Sequence, residues 1–252
     1  MMHADRGILP LIAAALAAAP LVLPPPVPSA PFGSAQGRSQ RVSFRAEDGV
    51  LLAATWHEPS SRPAPAVILL HMLSRTRRDW EPVASRLASE GIGALVVDFR
   101  GHGDSGGHVN RGEGLDLSPL VLDVKAARRY LAGRSDVEPS RVGVAGASLG
   151  ANVAALEAAS DPSVASLALL SPSLDYRGLR IEQALRQYGG RPAVLVASDD
   201  DPYAMRTVRD LAKAGGGLRE PMVLDDAGHG TTMLSRDGEL GRRLVDWFRR
   251  TL

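Results

Sequence analysis

The feature that most constrains the fold of this chain is a repeated alternation between short, continuously apolar runs and longer segments with helical spacing. The run Val67-Ile68-Leu69-Leu70 is typical of the first kind, because a strand with no polar face must be covered on both sides. Buried strands are predicted over 66–71, 92–99, 141–147, 164–170, 193–197 and 222–224, and helices over 80–90, 117–131, 149–159, 179–188, 203–214 and 239–250. This order predicts an α/β fold, in which a mostly parallel sheet carries helices on both faces.

The first pair of strands differs from the others. Residues 42–46 and 50–56 flank Asp48-Gly49, and Asp-Gly is a pair that favours a tight hairpin turn. We therefore expect an antiparallel hairpin at the N-terminal end of the sheet, ahead of the parallel strands.

The first 40 residues differ in composition from the remainder. Arg6 precedes an apolar, Ala-rich run at 7–23, and prolines and then small and polar residues follow it. This order is typical of a secretory signal. We predict a signal peptide over 1–35 with cleavage after Ala35, a short linker over 36–40 and one domain over 41–252. Export to the periplasm or the medium follows from this prediction, with no stable membrane insertion after cleavage. An uncleaved N-terminal membrane anchor is the alternative, although the run is short for a bilayer span.

Composition excludes several classes of function. The chain has 29 Lys and Arg against 28 Asp and Glu, and a net charge of +1 does not indicate nucleic acid as a partner. It has no Cys, which rules out disulfides, thiol catalysis and thiolate metal sites. No metal and no cofactor are expected. The sequence leaves the oligomeric state open.

A serine nucleophile is indicated by Gly146-Ala147-Ser148-Leu149-Gly150, which matches the pattern G-x-S-x-G. A predicted strand leads into this segment and a predicted helix leads out of it, which is the setting that the pattern requires. The serine must sit in a strained turn that lifts its hydroxyl out of the sheet, and the residues two positions away must be glycine to avoid collisions. Ser148 is the predicted nucleophile.

A serine hydroxyl needs a base within hydrogen-bonding reach, and that base needs an orienting group. Of the 6 histidines, only His229 falls in a loop after the last predicted strand and before the last predicted helix. Gly228 and Gly230 flank it, so the backbone can turn the imidazole into a cleft. His229 is therefore the predicted general base, whereas His57, on the early hairpin, is expected at the surface.

The orienting acid should lie between the serine and the histidine in the chain. Asp199, Asp200 and Asp201 directly follow a predicted strand, and the carboxyl ends of parallel strands face the cleft. Asp201 is preferred, because Pro202 biases it to an extended conformation. Asp200 is the second candidate, and Asp175, after the preceding strand, is the third. Asp199 or Asp200 is expected to cap the next helix.

The oxyanion formed in acyl transfer needs at least two N–H donors. The first candidate is the backbone N–H of Leu149, which follows the serine. The second is the backbone N–H of Leu73 or Met72, in the loop after the first buried strand. His71 begins this loop and is expected to anchor it rather than to take part in catalysis.

Four segments in this order resemble the α/β-hydrolase superfamily. They are Leu70-His71 with Trp80 downstream, residues 98–105, residues 146–150 and residues 227–230. The likeness covers 41–252, and the most similar branches are the serine aminopeptidase-like, lysophospholipase-like and dienelactone hydrolase-like proteins. In this family the segment Arg100-Gly101-His102-Gly103 is a structural loop after a strand, which argues against a catalytic role for His102 and, more loosely, for His108.

The chain departs from the pattern of this family at two points. Met72 occupies the position where such proteins usually have Gly. Its bulkier side chain is expected to narrow the acyl pocket or to change the direction of the loop that carries the second oxyanion donor. Dienelactone hydrolases use a Cys nucleophile, and this chain has none.

The resemblance implies a serine hydrolase that cleaves a carboxylic ester, or a related acyl bond, of a small substrate through an acyl-enzyme intermediate. The alternatives are a serine peptidase or aminopeptidase, a thioesterase or an acyltransferase on the same residues, and a binding protein that kept the fold without the activity. A small-molecule acyl substrate is the expected partner.

The segment that carries a large cap in many relatives is short in this chain. Residues 171–191 suffice for one short helix with its loops, so a minimal cap and an open cleft are expected, which favours short esters or small amides. Arg75, Arg77 and Arg78 follow the predicted oxyanion loop. They are expected to be solvated at a helix start, with attraction of an anionic substrate group as the alternative.

Overall fold

The computed structural model describes Met1 and residues 38–109, 116–213 and 216–252. The predicted signal peptide over 1–35, its cleavage after Ala35 and the first part of the predicted linker lie outside the described residues after Met1, and they stay predictions. No helix within the described ranges combines the length and apolarity needed to cross a membrane.

Eight strands form one sheet in the order β1-β2-β4-β3-β5-β6-β9-β10. Their bounds are β1 Ser39–Arg45, β2 Leu51–His57, β3 Ala64–Leu70, β4 Gly93–Val97, β5 Val137–Ala147, β6 Val164–Leu170, β9 Ala193–Ser198 and β10 Arg219–Leu224. β1 pairs antiparallel with β2, and β2 pairs antiparallel with β4. The remaining pairs are parallel. The predicted α/β fold with an antiparallel N-terminal hairpin is confirmed.

Helices cover both faces of this sheet. Their bounds are α1 Glu81–Ser89, α2 Leu120–Ala132, α3 Leu149–Ser160, α4 Glu182–Tyr188, α5 Pro202–Leu211, α6 Met233–Arg236 and α7 Leu240–Thr251. Ile68 packs into a cluster with residues of α2, α3, α4 and α5, whereas its neighbour Val67 packs into a cluster with residues of α1 and α7. Because adjacent residues of β3 face opposite helix layers, the strand has no solvent face, and its sequence is apolar without interruption.

The segment between β6 and β9 differs from its prediction. The helix predicted over 179–188 begins at Glu182, and the residues before it form a small antiparallel hairpin of β7 Asp175–Tyr176 and β8 Leu179–Arg180. The Asp175 carboxylate accepts a hydrogen bond from the Gly178 N–H at 2.7 Å, which closes the turn. Apart from this hairpin and α4, the segment carries no further helix or strand, in agreement with a minimal cap.

His57 contradicts its predicted place at the surface. Only 3% of the residue is exposed, and Nε2 lies 2.6 Å from Oε2 of Glu81 at the start of α1. The hairpin strand β2 is covered by α1, and Glu81 gives the buried imidazole a hydrogen-bonding partner. Nothing in the residues around His57 in the sequence indicated this distant partner.

Candidate active site

Ser148 lies at the sharp turn between β5 and α3. Its φ of 51° and ψ of −112° are a left-handed conformation that a residue with a side chain rarely adopts. The Ser148 N–H donates a hydrogen bond of 2.8 Å to the Leu170 carbonyl oxygen at the end of the neighbouring β6. The turn is therefore tied to the sheet, and it holds the hydroxyl at the carboxyl end of the parallel strands.

The two glycines of the G-x-S-x-G segment are required by close backbone contacts. A Cβ at Gly146 would collide with the backbone of Gly150. A Cβ at Gly150 would lie 2.5 Å from the Leu70 carbonyl oxygen and 2.7 Å from that of His71. Real Cβ atoms do not approach backbone oxygens this closely, so any side chain at either position would push α3 away from β3 and β5.

Three predicted residues meet at this turn. His229 Nε2 lies 2.8 Å from Ser148 Oγ, and His229 Nδ1 lies 2.6 Å from Asp201 Oδ2. An ionised carboxylate only accepts hydrogen bonds, so the proton on Nδ1 points to Asp201 and the free lone pair on Nε2 points to the serine hydroxyl. This is the tautomer that a general base for Ser148 requires.

Asp201 holds two partners at once. While Oδ2 faces His229, Oδ1 accepts a hydrogen bond of 3.1 Å from the Ala204 N–H and so caps α5. The expectation that Asp199 or Asp200 would cap this helix is wrong, because the helix starts at Pro202 and the residue directly before it is the one whose side chain reaches the first turn.

The other two aspartates fix the histidine loop. Asp200 Oδ1 accepts hydrogen bonds from the Ser198 hydroxyl and, at 2.9 Å, from the Gly228 N–H. Asp199 Oδ1 accepts one of 2.8 Å from the Asp226 N–H. Asp175, the third candidate for the acid, pairs instead with Arg180 in the β7–β8 hairpin. Of the candidate acids, the structure brings only Asp201 into hydrogen-bonding contact with His229.

His71 is buried at the start of the loop after β3. Its Nδ1–H donates to the Met72 carbonyl oxygen at 2.7 Å, and its Nε2 accepts from the Phe99 N–H at 3.1 Å. Burial lowers the pKa of His71 to about 4, so the ring is neutral at physiological pH. In the unfolded chain the imidazole of His71 is protonated near its ordinary pKa of 6.5, whereas in the folded protein it stays neutral down to a pH of about 4. The contribution of the neutral ring to the stability of the fold is therefore complete above pH 6.5 and is lost as the pH falls toward 4.

Two of the residues that carry candidate oxyanion donors, Leu149 and Met72, lie near Ser148. Leu149 is the first residue of α3, and an N–H in the first turn of a helix has no partner within the helix. A Cβ placed on Gly230 would lie 2.6 Å from the Met72 sulfur and 3.6 Å from Ser148 Cβ. Met72 and Ser148 therefore flank the same glycine, and Leu73 is the next residue along the loop.

Two polar residues that the sequence analysis did not single out hold this region together. Asn152 is fully buried in α3, where its amide donates to the carbonyl oxygens of Ser173 and Leu179 and accepts from the Ser173 N–H. Ser171 accepts a hydrogen bond of 3.0 Å from the Gly230 N–H. An asparagine among the apolar residues of the first turns of α3 is the one available signal, because a buried amide needs partners.

Two of the arginines after β3 are engaged in ion pairs. Arg75 contacts Asp79 at 2.8 Å, and the buried Arg77 contacts Asp98 and, at 2.6 Å, Asp104. Asp98 also accepts hydrogen bonds from the Arg77 and Asp104 N–H groups, so the loop that contains residues 100–103 is held in place structurally, as expected. Within the described ranges, no group of three His, Asp or Glu side chains is arranged to hold a metal ion.

Comparison with known proteins gives the same fold. The chain is 29% identical over 249 residues to the uncharacterized protein Rv2307c of Mycobacterium tuberculosis, and the alignment spans 90% of this chain and 83% of that protein. A dienelactone hydrolase from Anabaena variabilis superposes with a TM-score of 0.72 at 19% identity, covering 86% of this chain and 99% of the other. An esterase of Pyrococcus furiosus superposes with a TM-score of 0.70 at 22% identity, covering 90% of this chain and 96% of the esterase.

The match to a protein family is more specific than the similarity to these individual proteins. Residues 61–197, more than half of the chain, match the family described as serine aminopeptidase, S33. The matched range includes Ser148 and both glycines of its turn. The chain therefore belongs to the serine aminopeptidase S33 family of the α/β-hydrolase superfamily.

Proposed function

We propose that this protein is a serine hydrolase that cleaves a carboxylic ester of a small substrate through an acyl-enzyme intermediate. The observation that carries the proposal is the continuous chain of hydrogen bonds from Asp201 through His229 to the strained Ser148. A surface histidine has no need of a carboxylate on one nitrogen and a serine hydroxyl on the other, whereas nucleophilic catalysis needs both.

In this proposal Ser148 Oγ attacks the substrate carbonyl while His229 Nε2 takes the hydroxyl proton. Asp201 stabilises the imidazolium that forms, and the backbone N–H of Leu149, with that of Leu73 or Met72, stabilises the oxyanion. His229 then returns the proton to the leaving alcohol. A water molecule, deprotonated by the same nitrogen, releases the acyl group from Ser148.

The limited cover over the cleft supports a small substrate. Between β6 and β9 the chain contributes only the β7–β8 hairpin and α4, so this described segment forms no large lid to enclose a long acyl chain. Ester cleavage is supported by analogy with the Pyrococcus furiosus esterase and with an esterase domain of a Rhodothermus marinus protein, which superposes with a TM-score of 0.68.

A peptidase is the second candidate, because the family that the chain belongs to is described as serine aminopeptidase. The same three residues can attack an amide, provided that the leaving amine receives a proton from His229. An aminopeptidase must also bind the free amino group of its substrate, which needs carboxylates or carbonyl oxygens aimed into the cleft.

Kinetics with purified protein on matched panels separates these candidates. We expect 4-nitrophenyl acetate and butyrate to be hydrolysed at least tenfold more efficiently, by kcat/KM, than 4-nitrophenyl palmitate, aminoacyl 4-nitroanilides or acyl thioesters. Aminoacyl 4-nitroanilides turned over faster than every ester would establish the peptidase instead. A folded protein that turns over none of these substrates would support the binding-protein alternative.

A further inference from the structure

A cavity of about 690 Å³ opens between the loop after β3, the segment after β4 and the β7–β8 hairpin. It is lined by Leu73 and Ser74 from the loop after β3, by His102, His108 and Val109 from the segment after β4, and by Arg177 from the β7–β8 hairpin. Its volume suits a small organic substrate.

The order of the strands places segments that line this cavity on both sides of the strand that ends at the candidate nucleophile. The cavity walls come from segments that follow β3, β4 and β6. In the sheet, β5 lies between β3 and β6 and ends at the serine turn. Leu73 is also the neighbour of Met72, which contacts Gly230 next to Ser148. A substrate whose carbonyl lies at Ser148 thus has the cavity available for the rest of its structure.

The described residues in the walls of the cavity carry positive but no negative side chains. Among the described residues that line it, Arg177 is the permanent cation, His102 and His108 are the titratable groups, and none is a carboxylate. The side chain of Arg177 is exposed and makes no ion pair with another described residue, whereas Arg180 on the same hairpin pairs with Asp175 at 2.8 Å. An unpaired guanidinium at the wall of a cleft is suited to bind an anionic group.

The backbone at Arg177 adopts a conformation that is costly for a residue with a side chain. Its φ of 49° is left-handed, and Gly178 follows with a φ of 91°. The first position of such a hairpin turn favours Asn, Asp or Gly, so an arginine with this conformation carries a cost that the Asp175–Gly178 hydrogen bond helps to offset. Strain of this kind at a cleft is common where a side chain serves in binding.

We propose that this cavity binds an anionic group of the substrate, with Arg177 as the residue that determines this specificity. The substrate class is a small carboxylic ester that carries a second, ionised acid group, such as a half-ester of a dicarboxylic acid. The inference rests on the proposed ester hydrolysis at Ser148. It assigns to the exposed Arg177 the role that the sequence left as an alternative for Arg75, Arg77 and Arg78.

The test compares mono-4-nitrophenyl glutarate with 4-nitrophenyl valerate, two esters of similar length of which only the first carries a negative charge. We expect the wild-type protein to prefer the charged ester by kcat/KM. In Arg177→Gln the ratio of kcat/KM for the charged over the neutral ester should fall about tenfold, mostly through KM, as for the loss of a charge-assisted hydrogen bond at a partly exposed site. Arg177→Lys should keep part of the preference, and 0.5 M NaCl should reduce it in the wild type.

Arg180→Gln is the matched control, because it removes an arginine from the same hairpin that does not line the cavity. An unchanged ratio in this variant and a reduced one in Arg177→Gln support the proposal. An equal ratio in Arg177→Gln and the wild type would overturn it, as would an equal loss in Arg180→Gln. Failure of the wild type to hydrolyse either ester would instead refute the proposed ester hydrolysis, so the two failures are distinguishable.

Discussion

Replacing Ser148 with alanine is expected to lower kcat for 4-nitrophenyl acetate by about 10⁴- to 10⁶-fold, because loss of the nucleophile removes the acyl-enzyme route. Among the described residues the hydroxyl hydrogen-bonds only to His229, so the far-UV circular dichroism spectrum should not change. The residual rate reflects binding and the oxyanion donors alone. Steady-state kinetics and circular dichroism on the same preparations measure both.

Ser160→Ala is a suitable control for this variant. Ser160 ends the same helix α3, and its hydroxyl donates only to the Glu157 carbonyl oxygen, well away from the serine turn in the chain. It should keep wild-type turnover. Comparable turnover in Ser148→Ala and Ser160→Ala would remove Ser148 from the proposed mechanism.

The second large effect is expected at Asp201, where one side chain serves both the imidazole and the helix. In Asp201→Asn the residue at 201 can still cap α5, since asparagine caps helices as well as aspartate does. It no longer holds the required imidazole tautomer, so kcat should fall by about 10⁴-fold with little change in Tm. In Asp201→Ala both functions are lost, and the missing cap should cost about 1 kcal/mol, which corresponds to a Tm lower by roughly 2–4 °C.

Asp225→Asn provides the control for charge. Asp225 is an exposed carboxylate in the loop before His229, with no side-chain hydrogen bond to another described residue, and its variant should retain both kcat and Tm. The account would be contradicted at this point by an Asp201→Asn protein with nearly wild-type kcat. If Asp200→Asn then lost activity while its histidine loop stayed in place, the orienting acid would be Asp200.

Much of the fold could be predicted because its determinants are local. A strand with no solvent face must be apolar at every position, and the apolar residues of an amphipathic helix recur every three to four positions. β3 and α1 can therefore each be predicted from a short stretch of sequence. The β7–β8 hairpin could not be predicted in this way, since strands of two residues show no periodicity. The prediction that His57 lies at the surface is wrong for a related reason, because its burial depends on Glu81, which is distant in the sequence.

The candidate site was predictable to the extent that its residues follow an order along the chain. Ser148 was found from its glycines, His229 from its place after the last strand, and Asp201 from the residue that follows it. The double role of Asp201 was not predictable, because it depends on where α5 begins to within one residue. The position of Arg177 over the cleft likewise depends on how the β7–β8 hairpin folds back, which no local pattern indicates.

The central claim is that Ser148 is a nucleophile activated by His229, and covalent labelling tests it most directly. A fluorophosphonate probe is incubated with the folded protein, and the modified peptide is identified by mass spectrometry. We expect one adduct per chain, on Ser148, that is strongly reduced in His229→Ala and absent when the protein is denatured before the probe is added. A folded wild-type protein that leaves Ser148 unmodified would contradict the account.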